Sequence, residues 1–332
     1  MPTAKRADLM NGLLCLATNH GCFSFERDGN EWRETVRGLL GRHVTSLIAR
    51  EGVILAGTRD GVYRSDDAGK TWREASDGLT TRYVRSLAFH PDFSDLEFAG
   101  TEPAAIFVSH DGAATWRECR EVAALREAHR WFLPYSSGSG CVRGFAFHGR
   151  RAYAAVEVGG ALRSDDAGET WQLAEGSDGN PALGGPPEPF VYPDVHTVAV
   201  HPASPDLVFA PTGGGFYRSD DGGKTWVSLY DCYCRAVWLD PRDPAHLVLG
   251  PADGVDSNGR IEESRDGGQT WTAASTGANA PWRRGMVERF TQAGEALLAI
   301  LSNGHVLAAP LATLEWRRMF AEVNGVNCVA TL

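Results

Sequence analysis

Several large classes of protein are excluded by what this chain lacks. Near its start, Leu13 to Ala17 makes an apolar run of about five residues, where a secretory core needs roughly 7–15, and no small-residue cleavage site follows. Leu14 precedes Cys15 where a lipoprotein signal wants a small residue. LLCLATNHGCFSF instead aligns with ILAGTRDGVYRS at 54–65, so the segment reads as part of the fold and the expected location is cytoplasmic, away from membranes. The seven cysteines, 15, 22, 119, 141, 232, 234 and 328, are odd in number and contain no CxxC pair, which points to reduced thiols rather than a disulfide framework. No basic run tracks a phosphate backbone, and the net charge is -10, so nucleic acid is not an expected partner. No Gly-rich phosphate loop, Ser/His/Asp signature or amphipathic membrane helix stands out either.

What is present is a repeat. Ser219 to Trp226 reads SDDGGKTW, with close copies at Ser65–Trp72, Ser109–Trp116, Ser164–Trp171 and Ser264–Trp271. Five copies of Ser-x-Asp-x-Gly-x-Thr-Trp, the one at 109–116 with Ala113 at the Gly position, announce a repeat architecture. Trp32 and Trp316 complete the series in weaker motifs, FERDGNEW and APLATLEW, giving Trp spacings of 40, 44, 55, 55, 45 and 45. Between these marks lie short β-branched or aromatic runs such as VRSLAFH, LEFAGT, AIFVS and ATWREC, bounded by Gly, Pro and Asp. Such runs are strands.

Four antiparallel strands, a to d, recurring every 40–45 residues predict an all-β fold, a seven-bladed β-propeller of four-stranded antiparallel blades. The last segment, VNCVATL at 326–332, matches VTSLIAR at 44–50 and supplies the strand a that the first repeat lacks. The C-terminal strand is therefore expected to join blade 1 and close the ring, which removes free sheet edges. The expected blades within this single domain are 11–36 with 325–332, then 42–76, 82–119, 141–175, 195–230, 234–275 and 285–320. Two connections, 117–140 and 172–194, are long, and long loops in compact domains are commonly functional. The first contains a helical pattern, EVAALREAHRW, and is expected to fold down onto the body; the second, rich in Gly and Pro, reads as a flap.

In the repeated motif Ser and Asp can bond nearby backbone, Gly supplies a positive φ, and Trp buries a large ring. This reads as a self-satisfied turn. As a calcium loop it lacks the recurring bidentate Glu of the EF-hand. The motif resembles the Asp-box of the BNR repeat, and the chain is similar over its whole length to BNR-repeat propellers named after sialidases, with relatives among photosystem II assembly factors and sortilin-type receptors. The resemblance implies that the Asp-boxes lie on the face away from any active site. The Phe/Tyr-Arg-Ile-Pro segment of sialidases is absent from this chain.

The candidate site therefore belongs on the opposite face. The second residue of each aligned strand a forms a ring at the channel mouth: Asn327, Thr45, Arg85, Arg143, His196, Arg235 and Glu288. Arginine's planar fork suits carboxylate or phosphate, so Arg85, Arg143 and Arg235 are candidate ligands of an anion. AGTEPAAIF and AAVEVGGAL align residue for residue and place Glu102 and Glu157 beside Arg85 and Arg143, and Asp194 precedes blade 5. These carboxylates are either ion-pair partners plugging the channel or parts of a site, with Glu102, Glu157 and His196 as the acid/base groups of a glycosidase- or lyase-type enzyme and Asp194 as a ligand-binding residue. Trp131, Tyr135 and Tyr192 from the long connections would wall the pocket. No cofactor is expected; a divalent metal, the less favoured alternative, would draw on His20, His43, His196 and His305. Two readings stay open. One is a pocket for a small anionic or carbohydrate ligand; the other is a non-catalytic protein-interaction or assembly scaffold working through 117–140 and 172–194. Whether the protein is an enzyme is left undecided.

Overall fold

Each repeat folds as its alternation predicts, and a computed structural model, which describes residues 12–29, 31–182, 184–186 and 188–332, contains seven four-stranded antiparallel sheets among those residues. Residue 11, the expected start of blade 1, lies outside the described residues. In chain order the a strands are Val44–Arg50, Val84–Phe89, Cys141–His148, Ala199–Val200, Tyr233–Leu239, Val287–Ala293 and Val326–Thr331. The last of these pairs antiparallel with Leu13–Thr18, placing Leu16 opposite Val329 and Ala17 opposite Cys328, so the C-terminus closes the ring as expected.

Apolar side chains of adjacent blades meet at the seams. Phe98 and Ile106 of blade 3 join Val142, Leu162 and Trp171 of blade 4 in one buried cluster. Fully burying such side chains contributes roughly 1.5–3 kcal/mol each, and it is this seam packing that holds the blades in a ring. Several outermost strands are short: Arg73–Glu74 and Arg117–Glu118 have two residues each, and such charged stubs offer little edge to another chain, whereas blade 1 ends on the eight-residue Glu31–Gly38. The cysteines are all free and, apart from Cys232, buried. No described helix is long and apolar enough to cross a membrane.

Antiparallel order sends the a–b and c–d turns to one face and the b–c turns and d–a connections to the other. The channel differs at its two ends. Toward the Asp-boxes it opens as an apolar funnel of about 640 Å³ lined by residues including Ile48, Phe89, Phe145, Phe147, Val200 and Leu239. At the opposite mouth it narrows to a polar cavity of about 180 Å³ lined by residues including His43, Tyr83, Arg85, Arg143, Glu288 and Ser302.

Candidate functional site

The Asp-boxes are closed on themselves. In the first, Ser65 Oγ donates to Asp67 Oδ1 at 2.8 Å and accepts from Gly69 N at 2.8 Å, while Thr71 gives its N–H to Asp67 Oδ1 at 2.8 Å and its hydroxyl to Oδ2 at 2.7 Å. Ser219, Asp221, Gly223 and Thr225 repeat this pattern. The backbone and hydroxyl of Thr71 hold Asp67 down at about 2. Both carboxylate oxygens are already bound, which leaves these turns little capacity for a calcium ion or ligand.

A β-bulge builds the opposite mouth. In blade 3, Val84 pairs with Thr101 and Ser86 with Gly100, so Arg85 is the extra residue. Arg143, Thr45, Glu288 and Asn327 are skipped in the same way, and Arg235 lies within the irregular stretch of blade 6. In blade 5 the N–H groups of His196 and Thr197 converge on Pro211 O at 3.0 and 3.4 Å. Bulges re-aim side chains, and here they turn one residue per blade toward the channel mouth.

The arginines so placed are paired. Arg85 bonds Glu102, and Ser136 Oγ donates to the other Glu102 oxygen at 2.5 Å. Arg143 bridges Glu157 Oε2 at 2.8 Å and Glu288 Oε2 at 3.3 Å, and Arg235 bonds the second Glu288 oxygen. Burial alone would raise the Glu157 carboxyl, but the charges of Arg143 and His196, with hydrogen bonds from Arg143 and Tyr135, hold it well below the usual carboxylate range. Glu288 is likewise lowered by Arg235 and Arg143 against the pull of burial. A carboxylate locked in its ionised form is poorly suited to general acid work.

The 117–140 connection folds onto this network. Arg120–His129 forms the one helix among the described residues, and Arg126 Nη1 donates to Ala104 O at 2.9 Å. Beyond it Trp131 turns inward. Expected to wall a pocket, it is instead 3% exposed in the blade 3–4 core, with Nε1 donating to Gly179 O at 2.9 Å. The helix ends at left-handed Arg130, and that reversal drops the next side chain between the blades. Tyr135 remains 57% exposed, with its hydroxyl reaching Glu157. Tyr192 is half-buried against Gly214. The 172–194 segment, read from sequence as a flap, is tied down: Val191 N donates to Gly176 O at 2.9 Å and Gly160 N to Pro193 O at 2.8 Å.

The histidines separate. His196 is buried, with Nδ1 on Cys234 O at 2.9 Å and Nε2 within 3.2 Å of both Tyr233 Oη and Asp194 Oδ2. His43 lines the mouth cavity, its imidazole lowered by burial and by Arg59 and Arg85. His20 is exposed, and His305 is half-buried and lowered by burial and Arg318. Among the described residues, the four histidines of the less favoured metal alternative do not assemble. Glu157, Asp194 and His196 do, offering one ligand atom each within 4.8 Å of one another.

A second layer of the ring escaped the sequence reading except for Asp194. Two residues before four of the seven ring positions stand Tyr83, Cys141, Asp194 and Tyr233, on the same side of the strand by its period of two. Arg85 and Arg235 lie over the rings of Tyr83 and Tyr233, at 5.2 and 5.4 Å from the centroids, and Cys141 Sγ donates to Glu157 Oε2 at 3.2 Å. Burial raises the Cys141 thiol and pushes the Tyr233 hydroxyl up to about 12, so both remain proton donors near neutral pH. The repeated Tyr-x-Arg at 83–85 and 233–235 was the available signal.

These features define a seven-bladed β-propeller built on BNR/Asp-box turns. The BNR/Asp-box repeat family matches at residues 217–228. No curated protein sequence matches the chain. Among solved structures, the chain is similar to an ancestral GH74 enzyme at TM-score 0.62 and 16% identity, covering 86% of this chain and 38% of that one. It is also similar to YCF48 bound to a D1 peptide, at TM-score 0.61 and 14% identity, covering 91% of this chain and 89% of the other. YCF48 from Cyanidioschyzon merolae gives 0.60 and 14%, over 88% and 89%. At such identities the shared property is the fold.

Proposed function

We propose that this propeller is a non-catalytic protein-interaction module that docks a partner on the face opposite its Asp-boxes, with the 117–140 connection as the main contact. The observation that carries this reading is the pairing of the mouth: Arg85, Arg143 and Arg235 each hold a glutamate, which leaves no open arginine triad for a substrate anion. The mouth cavity of about 180 Å³ lies below the ~300–1,000 Å³ of usual ligand sites. On the same face Leu40, Phe132, Tyr135 and Val255 are exposed by 66, 41, 57 and 60%, and exposed apolar and aromatic groups above a rigid body suit a protein contact. The similarity in size to YCF48, solved with a peptide, supports the same reading, whereas the chain spans only 38% of the GH74 enzyme. A small anion or sugar acid is the second reading, favoured by the arginines that line the cavity.

The test is quantitative capture from a lysate of the source organism by the immobilised wild-type chain and by a folded Phe132→Ala/Tyr135→Ala double variant. A partner enriched by the wild type and lost by the variant is expected. Equal retention by both, or a sugar acid that binds the mouth in a ligand screen, would overturn the reading.

A further inference from the structure

We propose that Glu157, Asp194 and His196 form a binding site for one divalent transition-metal ion, a step beyond the docking function and independent of it. The three ligand atoms lie within 4.8 Å of one another, and they come from separate places in the chain: the end of a blade 4 strand, the last residues of the 172–194 connection, and the start of blade 5. One imidazole with two carboxylates is a donor set for zinc, manganese or ferrous iron rather than for the all-oxygen cages of magnesium or calcium.

The orientation of His196 is the strongest feature. A carbonyl only accepts hydrogen bonds, so Nδ1 carries a hydrogen and donates it to Cys234 O at 2.9 Å. In the neutral ring Nε2 then bears a lone pair, and it faces both Tyr233 Oη and Asp194 Oδ2 at 3.2 Å. The single Tyr233 hydroxyl proton can serve only one of these two acceptors, and the other needs a cation or a further proton. The carbonyl on the remote nitrogen is also the usual outer partner of a metal-bound histidine. His196 has no exposed side-chain surface, which favours a fixed direction for Nε2.

Asp194 supplies an independent observation. Its Oδ1 is buried without a hydrogen-bond partner, and among the described residues its one ion-pair partner is His196, whereas Glu102, Glu157 and Glu288 each have a guanidinium. A buried carboxylate oxygen without a partner is costly, and a bound cation relieves it. Space for the group is provided by Gly213, where an added Cβ would come within 2.3 Å of Asp194 Oδ2. Glu157 is steadied from outside the cluster by Arg143 and Cys141, both on Oε2. An ion here would staple the end of the 172–194 connection to blade 4.

The experiment uses the full chain, stripped with a chelator and titrated with Zn²⁺, Mn²⁺ and Mg²⁺ by calorimetry, with elemental analysis for stoichiometry. One Zn²⁺ or Mn²⁺ per chain is expected, with Mg²⁺ far weaker. Asp194→Asn keeps the shape and should weaken Zn²⁺ binding by at least roughly tenfold, the lower end of what even outer-partner losses cost; His305→Ala should bind as the wild type does. Imidazole NMR of the wild type provides a readout that needs no variant, since Zn²⁺ should shift the His196 ring signals and leave those of His305 in place. Absence of bound metal, an Asp194→Asn chain that binds like the wild type, Mg²⁺ binding as tight as Zn²⁺, or unmoved His196 signals would each overturn the proposal.

Discussion

On one face of this propeller Ser65, Asp67, Gly69 and Thr71 close a turn through hydrogen bonds that each span no more than four positions; on the other, Arg143 joins Glu157 and then reaches Glu288, 145 positions away. Both faces spend carboxylates on structure, but they differ in range. A box satisfies its aspartate locally and can therefore be copied from blade to blade. The mouth satisfies its charges around the ring, so the residue at this position changes around it: Arg85, Arg143 and Arg235 in three blades, Thr45, His196, Glu288 and Asn327 in the others. Divergence among repeats at the mouth thus reflects one shared network, and not the absence of a structural role.

If the two faces are equally structural, removing the hub of either should cost about the same. Trp226, 1% exposed, is the most enclosed box tryptophan, and Trp226→Ala should destabilise by ~3–5 kcal/mol in denaturant unfolding. Arg143→Ala strands Glu157 and should also cost ~3–5 kcal/mol. A loss below about 1 kcal/mol for the arginine would break the comparison, since surface pairs are worth no more than that. Within a box the effects are smaller. Ser219→Ala leaves Gly223 N without its acceptor and should cost ~1–3 kcal/mol by the same measurement.

Acid should act on both faces in one direction. Asp67 and Asp266 are held at about 2 against an ordinary 3.8, and Glu157 and Glu288 are also lowered. Groups whose folded value is depressed contribute stability that is full above the unfolded value and is lost as pH falls through the folded one. For the two aspartates that window is 3.8 down to about 2. Unfolding midpoints followed across this range should fall, and Asp67→Asn with Asp266→Asn should flatten the decline. The smallest stability effect is expected at the rim: Phe132→Ala, at a residue 41% exposed, should change stability by no more than about 0.5 kcal/mol while removing partner capture.

The same difference in range explains what could be read from the sequence. Seven aligned tryptophans and the match of VNCVATL to other a strands carried blade number and closure, because both are local patterns repeated. The ring residues were legible for the same reason, and the alignment of Glu102 with Glu157 correctly put each beside an arginine. The sharing of Glu288 between Arg143 and Arg235 was not legible, since it depends on the diameter of a closed ring. Nor was the bulge that aims every ring residue, because it arises from pairing between strands and has no residue signature of its own. Trp131 misled because its fate depends on where a ten-residue helix comes to rest, which no spacing within 117–140 specifies.

At the mouth, Arg85, Arg143 and Arg235 are each paired with a glutamate. A double-mutant cycle on Arg143→Met and Glu157→Gln, read by denaturant unfolding near neutral pH, tests this pairing most directly. A coupling energy of about 0.5–3 kcal/mol is expected, the range for residues in one network. A coupling indistinguishable from zero would contradict the pairing and return the arginines to the role of ligand binders.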